Sequence, residues 1–182
     1  MIINKQRTLI ANPGETAYAA FAAFATTRLD ESYRLARLIL RDEHEAQDAT
    51  HDAFVAAWRK WRTLRDPERV DAWFGRILVN SCRDRLRRHA RRPTVPLPDE
   101  PQLHATDPYR HSDNRDALAR AFPRLTADQR IAVVLRFYRD LSVDDIARLV
   151  GAPRGTVKSR LHHAMRHLRE ALQQDGTEVS HE

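Results

Sequence analysis

Prolines divide this chain into two helical halves. Five of its nine prolines fall between two strongly periodic stretches: Pro93, Pro96, Pro98, Pro101 and Pro108. Proline lacks the amide proton and the dihedral freedom that a helix interior needs, so we expect no helix to cross this region. Because proline-rich segments favour extended backbone, residues 92–111 are predicted to form a semi-rigid linker. No strand alternation stands out on either side, and the chain is therefore predicted to be all-α, with two small, separate helical domains.

The predicted boundaries follow from this division. We expect an N-terminal extension at 1–15, a first domain at 16–91, the linker at 92–111, a second domain at 112–173 and a flexible tail at 174–182. In the first domain, apolar residues at three-four spacing predict helices near 16–40, 43–61 and 67–89. Trp58, Trp61 and Trp73 all belong to it. Their expected place is the core, with partial exposure of Trp58 or Trp61 as the alternative.

The second domain contains several helix-start and helix-stop patterns. A helix is predicted near 113–122, and Thr126 with Gln129 forms a capping-box pattern for the next one. Ser142 is the predicted cap of a short third helix, which ends at Gly151. A fourth helix starts near Arg154. We expect a winged-helix-like four-helix unit without a sheet, in which a short helix, a tight turn and a longer helix form a helix-turn-helix.

The fourth predicted helix is basic on its outer surface. Residues 154–169 hold five Lys/Arg, three His and no acid. Its helical period predicts that the side opposite Leu161 is free to enter a DNA major groove. The candidate base readers are Arg154, Thr156, Ser159 and His163. The flanking candidates for DNA contact are Lys158, Arg160, His162 and Arg166. A merely solvated charged face is the alternative, which the glycine turn and the acid-free run make the weaker one.

The overall charge favours an anionic partner. A formal charge of +6 and a pI near 10.1 indicate nucleic acid or a membrane surface. The single cysteine, Cys82, excludes an internal disulfide and is expected to be a packed thiol in a reducing compartment. No apolar run approaches a membrane span or a signal peptide, so we expect a cytoplasmic protein without membrane insertion.

A second basic stretch ends the first domain. Residues 83–92 contain six arginines and one aspartate, and they continue a helix that carries Arg76 and Asn80. A basic helix with an amide side chain suits contact with a phosphate backbone and unstacked bases. Two basic surfaces joined by a linker predict a bipartite DNA site.

An acidic surface precedes it on the second predicted helix. Glu45, Asp48 and Asp52 lie on neighbouring turns and favour a basic protein partner, or they cap and solubilise the helix. His44, Asp48 and His51 could meet around a metal, which would indicate a metal-dependent hydrolase. A fourth ligand is not apparent, so we expect neither a metal nor a cofactor. The pair His163 and His167 is an equally weak metal candidate.

Three stretches, taken together, resemble the extracytoplasmic-function (ECF) group of bacterial sigma factors. "AQDATHDAF" at 46–54 corresponds to the family's acidic motif, and "WFGRILVNSCRDRLR" at 73–87 closely matches its Trp-Leu-x-Arg-Ile-x-x-Asn pattern. "LSVDDIARLVGAPRGTVKSRLHHAMRHLRE" at 141–170 resembles its terminal helix-turn-helix. The likeness covers about residues 21–172. Ala49, Thr50 and His51 replace the usual Leu, Val and Gln, which bears on the strength of polymerase binding.

The resemblance implies a transcription factor that is not an enzyme. Its implied partners are core RNA polymerase, promoter DNA and an anti-sigma factor, and the free protein is expected to be a monomer. The implied polymerase contact comprises Asp48, His51, Asp52 and Phe54. The implied contact with the melted minus-ten strand comprises Arg76, Asn80, Arg83 and Arg87. The second domain would read the minus-thirty-five element with the outer face at 154–166. The alternative is a helix-turn-helix regulator that never binds core polymerase and would usually dimerise.

Overall fold

A computed structural model describes residues 13–64, 66–91 and 118–178, and within these ranges it contains helices and no strand. The first domain has α1 at Pro13–Leu40, α2 at Glu43–Lys60 and α3 at Val70–Arg91. The second has a helical segment at 118–121, then α4 at Ala127–Phe137, α5 at Val143–Val150 and α6 at Arg154–Glu178. The predicted linker at 92–111, most of the helix predicted near 113–122 and residues 1–12 of the extension predicted at 1–15 lie outside the described residues, and α1 already begins at Pro13.

Short 3-10 turns account for the small differences in helix bounds. The predicted end of the second helix at Trp61 is a 3-10 turn over Trp61–Thr63, and the predicted start of the third is another over Pro67–Arg69. The start of α2 is defined by Asp42, whose carboxylate accepts a hydrogen bond from the Glu45 amide at 2.8 Å.

Small side chains let the first three helices approach closely. The face of α2 that packs inward is made of alanines at three-four spacing, all completely buried: Ala46, Ala49, Ala53 and Ala57. Against them lie Ile39 of α1 and Leu78 and Cys82 of α3, each at most 2% exposed. Burial raises the pKa of the Cys82 thiol to about 12, so this cysteine is a core residue, as the sequence predicts.

Aromatic rings fill the other end of this core. Phe54 and Phe74 have ring centroids 4.6 Å apart, and Phe24 lies edge-on to both. Trp61 and Trp73 are half-buried at its margin. Trp58 is 43% exposed and stands edge-on to the exposed ring of Tyr18. The core placement expected for Trp58 is therefore wrong, and the alternative of partial exposure is confirmed, because the Trp58 side chain lies at the outer edge of α2 beside Tyr18.

The helix caps and the glycine turn predicted for the second domain are present in the structure. Thr126 and Gln129 form a reciprocal capping box at the start of α4, and the Ser142 hydroxyl accepts from the Asp145 amide at 3.1 Å at the start of α5. Gly151 ends α5 with φ of 65°, the left-handed conformation that glycine adopts without a steric penalty. This conformation turns the chain so that α6 crosses α5.

The two domains pack against each other rather than standing apart. One continuous apolar cluster includes Ile39 and Leu78 from the first domain and Ile131, Ile146 and Val157 from the second. The domains are therefore not the separate units that the proline-rich linker predicts. The physical reason is that α4 and α5 present a second apolar face, which the first domain covers.

Candidate nucleic-acid and protein interfaces

The outer face of α6 is exposed as predicted. Val157 and Ala164 are fully buried and Leu168 is 7% exposed, so they fasten the helix to its own domain. The opposite side presents the candidate DNA residues Thr156, Lys158, Ser159, His162 and His163 to solvent. The helix-turn-helix arrangement therefore leaves a recognition face of suitable chemistry.

Three arginines on this face already have acidic partners. Arg154 lies 3.2 Å from Asp144, and Arg166 lies 3.6 Å from Glu170, both in exposed pairs. Such exposed pairs contribute little and exchange readily for phosphate contacts. Arg160 differs, because its side chain is 26% exposed and its Nη2 lies 2.8 Å from Oδ2 of Asp128.

The four candidate minus-ten residues of α3 lie together but face the second domain. Arg83 donates from Nη1 to Asn80 at 2.9 Å and from Nη2 to the Val150 carbonyl at 3.5 Å. The Arg76 guanidinium lies against the α5–α6 turn, where a β-carbon added to Gly151 would be 3.1 Å from its Nη2. The side chain of Arg83 is only 13% exposed. The sequence brings these residues onto one face, and the structure covers part of that face.

Asp128 of the second domain contacts much of the covered part of this α3 face. Its carboxylate lies 2.9 Å from Arg83 Nε, 3.5 Å from Arg87 Nη2 and 2.8 Å from Arg160 Nη2. The Asp128 side chain is 20% exposed. We call this group the Asp128 cluster: one carboxylate with three arginines, two from α3 and one from α6. It joins both candidate DNA surfaces.

The acidic surface of α2 is organised around Arg85. This arginine donates to Glu45 at 2.6 Å, to Asp48 at 3.3 Å and to Asp52 at 2.6 Å, while its own side chain is 10% exposed. Asp48 and Asp52 keep 69% and 56% of their side-chain surface exposed. We call this group the Arg85 cluster. It fixes two outward-facing carboxylates on α2, the helix for which the family resemblance implies polymerase contact.

The electrostatics of the Arg85 cluster favour the ionised forms. Burial by itself would lower the pKa of Arg85, but the hydrogen bonds to Glu45 and Asp52 outweigh it and raise that pKa. The hydrogen bond from Arg85 lowers the pKa of Glu45 against the opposing effect of burial. His89 adds a contact of 3.0 Å to Glu45. One cation with three carboxylates leaves this surface acidic.

The remaining candidate polymerase residues occupy different environments. His51 is exposed beside Asp52, whereas Phe54 is half-buried in the aromatic core. Ala49 is completely buried and Thr50 is 3% exposed, with its hydroxyl donating to the Ala46 carbonyl. These two departures from the family pattern therefore change helix packing and leave the exposed acidic surface unchanged.

Arg85 and Asp128, at the centres of the two clusters, are the residues of the candidate site that the sequence reasoning missed. The Leu78, Cys82, Arg85 spacing of four and three residues follows the apolar face of α3, so it could have placed Arg85 inward. Asp128 sits in the first turn of α4, where an acid is expected for the helix dipole alone. Its partners are 32 or more residues away in sequence, and no local pattern indicates them.

Two other classes of site gain no support. Among the described residues, no three His, Cys, Asp or Glu side chains lie close enough together to hold a metal ion, and this includes His44, Asp48 and His51. No helix in the described part of the chain is long and apolar enough to cross a bilayer.

Comparison with known proteins finds matches for both domains of the chain. Residues 20–92 match the family described as Sigma-70 region 2, and residues 115–168 match Sigma-70, region 4. The ECF RNA polymerase sigma factor SigM of Mycobacterium tuberculosis is 40% identical over 140 residues, which cover 77% of this chain and 70% of SigM. The chain belongs to the ECF RNA polymerase sigma factors. The RNA polymerase sigma-E factor of Streptomyces coelicolor is 35% identical over 84% of this sigma factor and 85% of its own length.

A solved structure confirms the all-helical fold of this sigma factor. RpoE from Bartonella quintana, in complex with the anti-sigma factor NepR, has a TM-score of 0.61 and 24% identity, covering 85% of this chain and 97% of RpoE. Membership in the family confirms the resemblance inferred from the three sequence stretches. An ECF sigma factor directs promoter-specific transcription initiation by core RNA polymerase, and the alternative of a regulator that never binds polymerase is not favoured.

Proposed function

We propose that this sigma factor divides promoter recognition among three surfaces, each on one helix. The outward face of α2 binds core polymerase through Asp48, His51 and Asp52. The basic face of α3 holds the melted minus-ten strand, and the outer face of α6 reads the minus-thirty-five element. The observation that carries this proposal is the Arg85 cluster, because a chain that only bound DNA would have no use for a fixed acidic surface.

Phe54 supports the polymerase surface from beneath. Its ring packs against Phe74 and Phe24 while the exposed carboxylates of Asp48 and Asp52 lie on the outer side of the same helix. Loss of this ring would displace α2 and therefore change the position of the acids. Phe54 thus acts on polymerase binding through helix position.

On the DNA side, α6 contributes sequence preference and α3 contributes strand capture. Thr156, Ser159, His163 and Arg154 have groups that can match base edges, while Lys158, Arg160, His162 and Arg166 lie where phosphates pass. On α3, the candidates are Arg76, Asn80, Arg83 and Arg87. Base pairs beside the minus-ten contacts must unstack at a cost of a few kcal/mol, which backbone contacts offset. The chain performs no chemistry of its own, so it is not an enzyme.

The remaining parts of the proposal concern where and with what the protein acts. It works in the cytoplasm, where polymerase and promoter DNA are, and it is a monomer when free. We include an anti-sigma factor among its partners. The related RpoE was solved with such a factor, and this supports that part of the proposal.

One experiment tests the polymerase surface. Purified core polymerase is mixed with the sigma factor and genomic DNA, and transcript starts that depend on the sigma factor are sequenced. We expect new starts with the wild type and a loss of core affinity of about tenfold or more with Asp52→Lys, because a charge reversal opposes a basic partner. Asp30→Lys, an equal charge change at an exposed site on α1, is the control. Equal behaviour of the two variants would show that polymerase binds elsewhere.

A second experiment separates base reading from phosphate contact. His163→Ala or Arg154→Ala should relax the preference for one position in the minus-thirty-five element, at a cost of about 1–3 kcal/mol. Lys158→Ala should weaken all promoters alike and reduce the salt slope of binding by about one unit. Selection of bound sequences from a random pool measures both. An unchanged preferred sequence in His163→Ala would exclude that residue as a base reader.

A further inference from the structure

Two neighbouring histidines lie in the middle of the outer face of α6. The rings of His162 and His163 are exposed, with centroids 5.6 Å apart and planes at 75° to each other. At about 100° per residue, they lie on either side of the line through Ser159 and Arg166, almost opposite the buried side of the helix. We call them the α6 histidine pair. Any DNA that meets this face meets both imidazoles.

The helices packed against α6 leave this pair without a counter-ion. Among the described residues, neither ring forms a hydrogen bond or an ion pair, and the aromatic contact of each is with the other. α6 packs against α4 and α5, whose charged side chains are all engaged with other groups. These contacts are Asp128 with Arg160, Arg136 with Asp140, Asp144 with Arg154, Asp145 with Arg148, and Arg130 with the carbonyls of Ile39 and Pro123. The described part of the chain therefore offers no anion to a protonated ring.

The nearest charged neighbours along α6 are cations. Lys158 and Arg166 each lie four residues from His162, and residues at that spacing are neighbours on a helix surface. The acid Glu170 lies 3.6 Å from Arg166 and faces that cation. A positive charge on the pair is therefore opposed by like charges in the free chain, whereas the phosphates of DNA would favour it.

Protonation changes what an imidazole can bind on DNA. Histidine is the side chain whose charge ordinarily changes between about pH 5 and 8. The neutral ring has one donor and one acceptor, whereas the imidazolium has two donors and no acceptor. In the major groove guanine presents two acceptors, while adenine presents one acceptor and one donor. A protonated His163 therefore favours guanine, and a protonated His162 suits a phosphate.

We propose that the α6 histidine pair makes minus-thirty-five recognition proton-linked: the imidazolium forms bind the element, so affinity and base preference both change with pH. The proposal rests on the proposed function, because it assigns this regulation to the outer face of α6. Since the bound state holds more protons than the free state, linkage requires the affinity to rise as pH falls. Acidification thereby strengthens promoter binding, and it does so through two residues that carry no charge above about pH 8.

The first test measures promoter affinity against pH. Core polymerase is combined with the full-length sigma factor, and fluorescence anisotropy gives the affinity for a labelled promoter duplex between pH 8 and pH 6. We expect a rise of about tenfold for the wild type and nearly none for the double variant His162→Gln with His163→Gln. Glutamine keeps a donor and an acceptor, does not titrate and is well tolerated in helices. His44→Gln, at an exposed site on α2, is the control and should keep the wild-type rise.

The second test measures charge and base preference at the two pH values. Each imidazolium that meets a phosphate should steepen the salt slope of binding by about 0.9, so the wild-type slope should be steeper at pH 6 than at pH 8. Selection of bound sequences from a random pool should give a guanine preference at one position that weakens at pH 8. In His163→Gln the preferred sequence should be the same at both pH values. Titrations on the polymerase are common to all variants and cancel in this comparison.

The outcomes distinguish this inference from the proposed function. Parallel pH profiles of the wild type and the double variant would overturn the proton link, even in a chain that directs new transcript starts. A wild type that selects the same sequence at pH 6 and pH 8 would overturn the pH-dependent base preference of His163. The full-length chain without polymerase provides a third measurement, on a random duplex. If its affinity shows the histidine-dependent rise but no transcript start depends on the chain, the proton link stands and the proposed function fails.

Discussion

Arg83 and Arg85 lie two residues apart on α3 and belong to opposite kinds of cluster. At roughly 100° per residue they point to nearly opposite sides of the helix. Arg85 faces α2 of its own domain and gathers three carboxylates, whereas Arg83 faces the second domain and shares one carboxylate with two other arginines. One side of α3 thus places a single cation, Arg85, among three acids, and the other side places two cations, Arg83 and Arg87, beside a single acid of the second domain.

The two clusters differ in whether their partners belong to one domain or to two. In the Arg85 cluster every donor and acceptor belongs to α2 and α3, which also share the alanine-lined core. In the Asp128 cluster the partners come from different domains, and water or phosphate can replace each of them. We therefore expect Arg85 to govern the stability of the first domain and Asp128 to govern the distance between domains.

The largest expected change in the free energy of unfolding comes from substitution of Arg85, and it tests the contrast between the two clusters. Arg85→Ala leaves Glu45, Asp48 and Asp52 without their shared cation and should destabilise the first domain by about 2–3 kcal/mol. This is less than a fully buried pair would cost, because two of the carboxylates are more than half exposed. Urea unfolding followed by tryptophan fluorescence measures it, since all three tryptophans belong to this domain.

Arg88→Ala is the matched control for that measurement. Arg88 is an exposed arginine on the same helix, and its side chain donates to the Asp84 carbonyl at 3.4 Å. Its loss should change stability by no more than about 0.5 kcal/mol. If Arg85→Ala costs no more than Arg88→Ala, the cluster does not hold α2 in place, and the two clusters would be alike.

Local patterns in the sequence account for most of the fold. The capping box at Thr126, the cap at Ser142 and the turn at Gly151 each depend on neighbours within a few residues, and the structure confirms them. The buried face of α6, with Val157 and Ala164 inside, follows from helical period alone. Short-range rules also predicted which side of α6 is exposed.

Long-range charge pairing could not be predicted in the same way. The run at 83–92 reads as one basic surface, yet Arg85 is buried among acids and Arg83 is covered by the second domain. Partner choice depends on how helices are placed in space, which charge order in the sequence does not contain. The same reason explains Trp58, whose exposure depends on where α1 lies against α2.

Acidification is the second expected effect and acts on the Arg85 cluster. The folded-state pKa of Glu45 is lowered by Arg85, so its stabilising contribution is present above the unfolded pKa of about 4.5 and is lost as pH falls through the lower folded value. The melting temperature of the wild type should therefore fall as the pH drops below about 4.5. In Glu45→Gln the melting temperature should fall less steeply over the same range. Glu43→Gln, which removes an acid two residues earlier on the same helix with 51% of its side chain exposed, is the charge-matched comparison. A Glu45→Gln variant as acid-sensitive as the wild type would contradict this linkage.

A smaller effect on unfolding is expected at Asp128. Asp128→Asn should lower the stability of the first domain by less than about 1 kcal/mol, because the released arginines are solvated once the domains separate. The same tryptophan-monitored unfolding measures it. A loss as large as that of Arg85→Ala would mean that both domains unfold as a single body, and the comparison between fixed and separable contacts would break.

The smallest effect is that of salt, and it should act on one cluster and spare the other. Raising the ionic strength from about 0.05 to 0.5 M shortens the Debye length from roughly 14 to 4 Å. The outer arginine of the Asp128 cluster, Arg87, is 55% exposed and accessible to ions, although Arg83 and Asp128 are 13% and 20% exposed; Arg85 is 10% exposed. Small-angle scattering should show a modest expansion of the free chain as the Asp128 cluster loosens, while the melting temperature of the first domain changes by no more than about a degree. A melting temperature that falls in step with the expansion would show that salt reaches the Arg85 cluster as well. The difference in burial would then not decide which contact opens first.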